Sequence, residues 1–208
     1  MEALLLLGCG GHARSVVDIV ERQGRYHIAG FVGTEEDRGF TYRGYRMLGV
    51  DSDLPVFFDR GIRYAFISLG YLGNSRARDA LAARLGTIGF RMPVLIDPTA
   101  VVASDATLGG GTLVGKGVVV NAAATVGRCV ILNTGAVVEH DCRVGDFSHI
   151  AVGAVLCGGV SVGDHALIGA GATVLQNRRI GANARVGAGS VVLSDLPVGV
   201  TAVGVVKG

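Results

Sequence analysis

A six-residue period dominates the second half of the chain. From Ile96 to Val198, every sixth residue is Val, Leu or Ile, without a break in register. The residue four positions after each of these is small almost throughout, and the residue directly after is often Gly. This period fits neither the 3.6-residue helix nor plain strand alternation. It predicts a parallel β-solenoid with three flat faces, about eighteen residues per coil and five to six coils.

The same columns predict the inside of the solenoid. The aliphatic residues should fill the interior at each corner, and the small residues should point inward where space is short. The glycines should permit the tight backbone of the corners. Two segments deviate from the pattern: we expect a loop or a bulged corner at residues 175–179, and residues 198–208 leave the register.

Composition limits the classes of function. The chain has 208 residues and a formal net charge of only +2, so its charge gives no case for nucleic acid as a partner. No apolar run approaches the length of a membrane span, and the N-terminus lacks the features of a secretory signal. The four cysteines form no CxxC pair, which favours reduced thiols and a cytoplasmic location.

The first 95 residues carry the pattern of a small α/β domain. A buried strand at residues 3–7 is followed by a turn containing Gly8, Gly10, Gly11 and His12, and then by a helix at residues 15–22. Glycines let a ligand approach the backbone, and a helix N-terminus favours anions. The turn has the form G-x-G-G-H, which does not imply a dinucleotide.

The rest of this domain follows the same alternation. A second glycine turn runs from Gly70 to Asn74, again after a strand, and ligands bind at the carboxyl ends of strands in open α/β sheets. The remaining predicted elements are strands at 28–32, 64–69 and 90–95, helices at 54–60 and 75–85, and a loop rich in Gly, Tyr and Arg between the second and third strands. We therefore predict an α/β domain over residues 1–95 and an all-β solenoid over residues 96–208.

Each histidine has a functional and a structural interpretation. His140 lies between Glu139 and Asp141, where a carboxylate could orient a general base, but its spacing alone favours a surface residue. His149 is near a corner and could contact a ligand or be solvated. His12 could donate to a ligand or cap the helix. The patterns around His165 and His27 favour no functional role.

Metal binding and cysteine chemistry have weaker support. Ligands on stacked coils should be separated by near-multiples of eighteen, and the solenoid histidines are not, so three convergent zinc ligands are not expected. Contacts across a subunit interface stay open. Cys142 lies two residues from His140 but in the small inward column, so a buried structural thiol is favoured over a nucleophile.

Three long motifs identify a resemblance. Residues 8–18, residues 66–70 with Asn74 and Arg76, and residues 131–154 resemble the PglD/NeuD-type sugar acetyltransferases, and the likeness covers nearly the whole chain. The resemblance implies a Rossmann-like α/β domain that binds a nucleotide-sugar, followed by a left-handed parallel β-helix of the hexapeptide-repeat type. The left hand comes from this resemblance, because the general rule favours right-handed crossovers.

The resemblance also implies roles for particular residues. His140 corresponds to the general base and Asp141 to the acid that orients it. The nucleotide-sugar site is expected to include Gly8, Gly10, Gly11, His12, Gly70, Asn74 and Asn133. The acetyl-CoA site, between neighbouring subunits of a homotrimer, is expected to include His149, Gly158 and Ala170, with the Gly158 amide near the acetyl carbonyl.

Two departures from the family pattern leave points open. Acidic residues that read the nucleotide base follow the second strand in many relatives, whereas here Glu35, Glu36 and Asp37 come one or more positions later. The C-terminal segment 204–208 lacks the proline that relatives often have over the pantetheine of CoA. The base and the role of the tail therefore stay open.

The expected activity is acetyl transfer from acetyl-CoA to an amino group of a nucleotide-linked sugar, for surface-glycan biosynthesis and without a metal. The alternatives are O-acetylation of a sugar such as a sialic acid, a non-catalytic trimeric protein that binds nucleotide-sugars, and a metal-dependent hydratase of the β-helix class.

Overall fold

The computed structural model describes residues 1–71, 73 and 76–207. The chain divides into two compact units. One contains residues 1–70 and 76–95, and the other contains residues 71–75 and 96–208. Tyr71 therefore belongs to the unit that contains the solenoid.

The first unit is built on a five-stranded sheet in the order β3-β4-β2-β1-β5. Strands β1, β2, β4 and β5 are parallel and β3 is antiparallel to β4, so four carboxyl ends meet at one edge. The strands are β1 (Glu2–Leu7), β2 (Tyr26–Gly33), β3 (Thr41–Tyr42), β4 (Tyr45–Val50) and β5 (Tyr64–Ile67), and the helices are α1 (Gly11–Gln23), α2 (Leu54–Asp59) and α3 (Arg76–Ile88).

Apolar runs explain these elements. Leu4 to Leu7 are fully buried, as expected for a strand covered on both faces. Helix α1 buries Ala13, Val16, Val17 and Val20 at helical spacing, and the helix begins at Gly11, four residues before the predicted start. Gly10 is the N-cap of this helix, so the glycine turn and the helix start coincide.

Two predictions for this unit are wrong. The segment between the second and third predicted strands was predicted as a loop but contains β3 and β4. Their residues are only partly buried and glycines interrupt them, so the local pattern does not indicate strands. The predicted last strand at residues 90–95 makes only an isolated bridge between Arg91 and Tyr64, while Leu95 begins the solenoid.

The second unit is a parallel β-solenoid whose strands form three sheets of seven, five and seven strands. Neighbouring strands pair eighteen residues apart, for example Val119 with Val137, so each coil contributes one strand to each face. The strands are β6 (Leu95–Ile96), β7 (Val101–Val102), β8 (Thr107–Leu108), β9 (Leu113–Val114), β10 (Val119–Val120), β11 (Thr125–Val126), β12 (Ile131–Leu132), β13 (Val137–Val138), β14 (Arg143–Val144), β15 (His149–Ile150), β16 (Val155–Leu156), β17 (Ser161–Val162), β18 (Leu167–Ile168), β19 (Thr173–Val174), β20 (Arg179–Ile180), β21 (Arg185–Val186), β22 (Val191–Val192), β23 (Thr201–Ala202) and β24 (Val205–Val206).

The aliphatic and small columns form the core, as predicted. From Val114 to Val192 every aliphatic of the period is buried, and Ile96, Val102 and Leu108 pack against this core while partly buried. The last member is an exception. Val198 is 70% exposed, and Leu196 takes the interior position because the final coil is shorter.

The glycines that follow the aliphatic residues are needed for a different reason than the tight corner backbone that was predicted. They have ordinary backbone angles, but the next coil approaches them closely. A Cβ on Gly109 would lie 2.5 Å from the carbonyl carbon of Gly127, which no side chain can accommodate. Stacking between coils, rather than the corner turn, therefore requires these glycines.

The two deviant segments behave differently. The corner at residues 176–177 is regular, because Asn177 adopts the left-handed conformation (φ 59°) that other corners achieve with Gly, so the predicted loop or bulge is wrong. The tail leaves the eighteen-residue register but remains in the solenoid. Its strands pair sixteen residues apart at Arg185 and Thr201, and fourteen apart at Val191 and Val205.

Candidate active site

The corners of the solenoid share one backbone geometry. Every sixth residue from Gly111 to Gly189, three positions after an interior aliphatic, has a positive φ near 60°. Asp141 occupies this position (φ 60°), and His140 precedes it in the same corner. Both side chains point away from the core, with 61% and 67% of their surfaces exposed.

His140 and Asp141 form a hydrogen-bonded pair. The imidazole Nδ1 lies 2.8 Å from Oδ2 of Asp141. Because a carboxylate only accepts, Nδ1 carries the proton and Nε2 presents a lone pair. The pKa of His140 is raised, mainly by this hydrogen bond to Asp141 and further by the charges of Asp141 and Glu139. The arrangement is that of an oriented base whose protonated form is stabilised.

Glu139 also stabilises this corner through two hydrogen bonds. Its Oε2 accepts from the backbone N–H of His140 at 3.2 Å and from Nδ2 of Asn121, one coil earlier, at 3.0 Å. Neither Glu139 nor Asn121 was predicted as a site residue. The signal available in the sequence was their separation of eighteen residues, which stacks them.

Gly158 lies one coil after His140, directly against its ring. A Cβ on Gly158 would lie 2.6 Å from both Cε1 and Nε2 of His140. Equivalent amides at other corners are capped by an oxygen of the preceding side chain, as at Ala122 by Asn121 and at Thr134 by Asn133. Before Gly158 stands Cys157, which has no side-chain oxygen. The missing side chain makes room for the imidazole, and the amide is left without this type of cap.

His149 is in a different environment. Its side chain is buried (7% exposed), so the alternative of a solvated histidine is wrong. Nδ1 lies 2.7 Å from the backbone carbonyl of Tyr71, and Nε2 lies 3.2 Å from Nδ2 of Asn133. The structure thus brings Asn133 and His149 together. Tyr71, which also donates its hydroxyl hydrogen to the carbonyl of His165, was not predicted, because it is distant in sequence.

Two further predicted residues lie apart from this corner. Ala170 is exposed at another corner, twelve residues after Gly158 and thus two-thirds of a coil away. Asn74 lies outside the described residues. Contact of Ala170 with acetyl-CoA and contact of Asn74 with the sugar stay predictions.

The α/β unit contains a cavity of about 390 Å³ at the carboxyl ends of its parallel strands. This volume is in the range of small-molecule sites, about 300–1,000 Å³. Helix α3 forms an apolar wall. The lining residues are Gly8, Val32, Gly33, Thr34, Asp37, Asp51, Leu69, Ala77, Ala80, Leu81 and Arg84. Of the glycines and histidine predicted for the nucleotide-sugar, Gly8 lines this cavity.

The other predicted residues of this unit lie at the start of α1. Gly10 and Gly11 are exposed, and His12 is half-buried. A Cβ on Gly70 would lie 3.6 Å from Cβ of His12, so the two predicted glycine turns adjoin.

Acidic groups stand at two places around the cavity. Asp37 accepts hydrogen bonds from the backbone N–H and the hydroxyl of Thr34, at 2.9 and 3.0 Å. Burial raises the pKa of Asp51, and the positive charge of Arg84 partly offsets this. Of the three acidic residues that follow β2, Asp37 lines the cavity.

The thiol of Cys142 is not placed as a nucleophile. Cys142 is fully buried and donates to the carbonyl of Cys157 at 3.1 Å, and burial raises the pKa of Cys142 to about 11. A thiol with so high a pKa is not a nucleophile at neutral pH. Within residues 1–71, 73 and 76–207, no three His, Cys, Asp or Glu side chains are grouped as metal ligands, and no helix could span a membrane.

Comparison with known proteins agrees with the two units. The family model of the PglD N-terminal domain matches residues 3–85, and that of the bacterial transferase hexapeptide (six repeats) matches residues 159–194. The GDP-perosamine N-acetyltransferase of Caulobacter crescentus, solved with CoA and GDP-perosamine, is 37% identical over 100% of this chain and 98% of its own, with a TM-score of 0.92. The chain belongs to the PglD-type family of hexapeptide-repeat sugar acetyltransferases.

Other solved structures support the same family. The acetyltransferase domain of PglB from Neisseria gonorrhoeae is 31% identical over 98% of this chain and 97% of its own, with a TM-score of 0.89. WeeI from Acinetobacter baumannii, at 21% identity over 98% and 97% and a TM-score of 0.64, shares the fold. A comparison with curated protein sequences found no match. The solenoid of this PglD-type protein is thus a left-handed parallel β-helix.

Proposed function

We propose that this PglD-type protein transfers the acetyl group of acetyl-CoA to an amino group of a nucleotide-linked sugar. The observation that carries this proposal is one corner of the solenoid, where His140, its partner Asp141 and the side-chain-free Gly158 meet. Relatives at 30–37% identity were solved with acetyl-CoA, or with CoA and GDP-perosamine. Two of these structures contain a histidine replaced by Ala or Asn.

His140 supplies the proton acceptor. Its Nε2 removes a proton from the sugar amine as the amine nitrogen attacks the thioester carbonyl of acetyl-CoA. A tetrahedral oxyanion forms, and the Gly158 amide is the donor placed beside His140 to stabilise it. The C–S bond then breaks, CoA leaves as the thiolate, and the thiolate can take the proton from the imidazolium. No acyl-enzyme is formed, which agrees with the inert thiol of Cys142.

The α/β unit supplies the acceptor site. We place the nucleoside in the 390 Å³ cavity, at the edge where parallel strands end and where α/β folds bind ligands. Asp37 is positioned to accept from a ribose hydroxyl, and Gly8, Gly10, Gly11 and His12 to approach the remainder of the nucleotide-sugar.

One face of the solenoid favours a homotrimer. Its outward residues are aliphatic in all but one strand, whereas those of the adjacent polar face are Thr, Arg and Ser. The aliphatic column is Val101, Val119, Val137, Val155, Thr173, Val191 and Val205. This face leads from Val137 directly into the His140 corner, so a subunit packed on it would lie beside the site. Light scattering should then give three times the 21.3 kDa of one chain.

The cytoplasm is the proposed location. The four cysteines are thiols outside disulfides, which is typical of reducing compartments, and acetyl-CoA is available there.

The decisive experiment is release of CoA thiol from acetyl-CoA with a panel of UDP-, GDP- and dTDP-linked amino sugars, and with their hydroxyl-only counterparts. We expect turnover on an amino sugar, and a fall of about 10²–10⁴-fold in His140→Ala, because general-base catalysis contributes that much. His27→Ala, which changes an exposed histidine of the α/β unit, should keep wild-type activity. Turnover only on hydroxyl sugars would contradict N-acetylation, and full activity of His140→Ala would contradict the base.

A further inference from the structure

A second polar groove adjoins the candidate active site. It has a volume of about 620 Å³ and lies on the five-stranded face of the solenoid. Its lining residues are Asp141, Arg143, Gly159, Ser161, Asn177 and Arg179. Because Asp141 belongs to both, a ligand in this groove lies next to the group that orients His140.

The register of the strands builds this groove. Arg143 pairs with Ser161, and Ser161 pairs with Arg179, so the two arginines lie two coils apart with a small residue between them. Since neighbouring strands are about 4.7–4.9 Å apart, the two backbones are separated by about 9–10 Å. Two long side chains at that separation can converge on one ligand over Ser161. Gly159, which has no side chain, deepens the groove beside Asp141.

Within the part of the solenoid unit that the structure describes, no ion pair neutralises the charges of these two arginines. The solenoid contains five arginines, and three have partners: Arg128 bonds Asp146, Arg178 lies near Asp195, and Arg185 donates to the carbonyl of Gly73. The described residues give Arg143 and Arg179 neither an ion pair nor a side-chain hydrogen bond, and both are exposed. The carboxylate of Asp141, the one acid in the groove, is bonded to His140.

Two unpaired guanidinium groups around a small hydroxyl residue suit a phosphate ligand. Guanidinium offers a rigid fork of donors that matches phosphate oxygens, and the Ser161 hydroxyl and the Asn177 amide can add further hydrogen bonds. We propose that this groove binds phosphate groups of a co-substrate of the transfer reaction. The identity of that co-substrate rests on the proposed function, whereas the phosphate chemistry rests on the groove itself.

Two sources of phosphate are compatible with this chemistry. A nucleotide-sugar carries its diphosphate directly on the sugar, so its phosphates would lie close to the reacting amine. Acetyl-CoA carries its diphosphate and 3′-phosphate beyond the pantetheine arm, far from the thioester. Binding of the two ligands can be measured separately, which distinguishes the sources.

The test is calorimetric titration of the wild type and Arg143→Gln/Arg179→Gln with CoA, and separately with GDP, UDP and dTDP. We expect the double variant to bind one class of ligand at least about tenfold more weakly, because hydrogen bonds to charged groups contribute that much. The wild-type affinity for that ligand should fall with salt more steeply than that of the double variant. Arg128→Gln, which removes one positive charge from a corner outside the groove, is the control and should bind as the wild type.

Each result has a defined meaning. Weaker binding of CoA alone assigns the groove to the acetyl donor, and weaker binding of a nucleoside diphosphate alone assigns it to the acceptor. Unchanged binding of every probe by a folded double variant, checked by its melting temperature, would overturn the proposal. Because binding is measured without turnover, failure of the N-acetylation assay would leave this result standing.

Discussion

Two histidines half a coil apart hold Nδ1 in the same way but differ in what surrounds Nε2. In both, Nδ1 faces an oxygen that only accepts, the carboxylate of Asp141 for His140 and the carbonyl of Tyr71 for His149. Both rings therefore present a lone pair at Nε2. Asn133 fills that position in His149, whereas no described residue bonds Nε2 of His140.

The difference in access to Nε2 follows from the residues that surround each ring. His140 is at a corner, faces Gly158 and is 61% exposed, so its lone pair remains accessible. His149 is in strand β15, and both of its ring nitrogens are engaged, by the carbonyl of Tyr71 and by Asn133. One repeat thus places a histidine with an accessible Nε2 at a corner and a histidine with both ring nitrogens engaged in a strand. We infer that the first acts as a base and the second as a positioning residue. The predictions below test whether this division of roles is correct.

Among the variants that keep His140, the largest effect is expected for Gly158→Ala. The new Cβ would meet the imidazole of His140 at 2.6 Å and displace the ring, since the ring is the mobile end of its side chain. A misplacement of about 1 Å can cost about 10²-fold, so kcat/KM should fall by that order while the melting temperature changes little.

Gly153→Ala is the matched control for that substitution. Gly153 has φ 65° at another corner, with open space around its Cβ, so Ala there should cost about 1 kcal/mol of stability without reducing kcat/KM strongly. Wild-type turnover of Gly158→Ala would show that contact of His140 with this coil is unimportant.

His149→Ala should act on stability. The substitution removes the hydrogen bonds to Tyr71 and Asn133 in a buried place, which should lower the free energy of unfolding by about 1–3 kcal/mol. Urea denaturation measures this change, with His27→Ala as the exposed control. A catalytic loss as large as that of His140→Ala, without a change in stability, would instead assign His149 to the reacting groups.

Asp141→Asn should have the smallest effect and a characteristic pH dependence. Asn accepts the left-handed backbone at this corner, so the fold should be retained. Asp141 raises the pKa of His140, and His140 is a base only above that pKa. Loss of the carboxylate should therefore move the acidic limb of the kcat/KM profile to lower pH.

The same variant should lower the plateau of kcat/KM about tenfold, because the imidazolium loses a charge-assisted hydrogen bond. Asp146→Asn changes a carboxylate at another corner and serves as the control. An unmoved acidic limb would contradict the coupling between Asp141 and His140.

Local patterns predicted the solenoid more fully than the α/β unit. The interior from Val114 to Val192 repeats every six residues, so each position is specified many times over. Strands β3 and β4 were missed because they are short, half-buried and interrupted by glycine, and their pairing is decided by the neighbouring β2. Val198 continued the six-residue period but is exposed, since the shortened last coil places Leu196 inside.

The candidate site was predictable only where its contacts join residues that are close in the sequence. The pairing of His140 with Asp141 could be inferred from their adjacency, and the motif resembling the family drew attention to Gly158. The hydrogen bond from Asn121 to Glu139 forms only when successive coils stack. The hydrogen bond from His149 to Tyr71 joins residues 78 positions apart. No local pattern reports a contact of that separation.

The sequence by itself determined that residues 96–192 form coils of eighteen residues. An aliphatic residue at every sixth position can be buried in a three-faced coil, whereas neither a helix nor a plain strand would bury all of them on one side. The family resemblance, carried by the sequence, also implied that His140 is the candidate base. Only the tertiary structure decided which histidine keeps an accessible lone pair and which arginines have no ion pair among the described residues. These properties depend on side chains brought together from different coils, and the energy of each hydrogen bond or ion pair is decided by distance in space rather than by position in the chain.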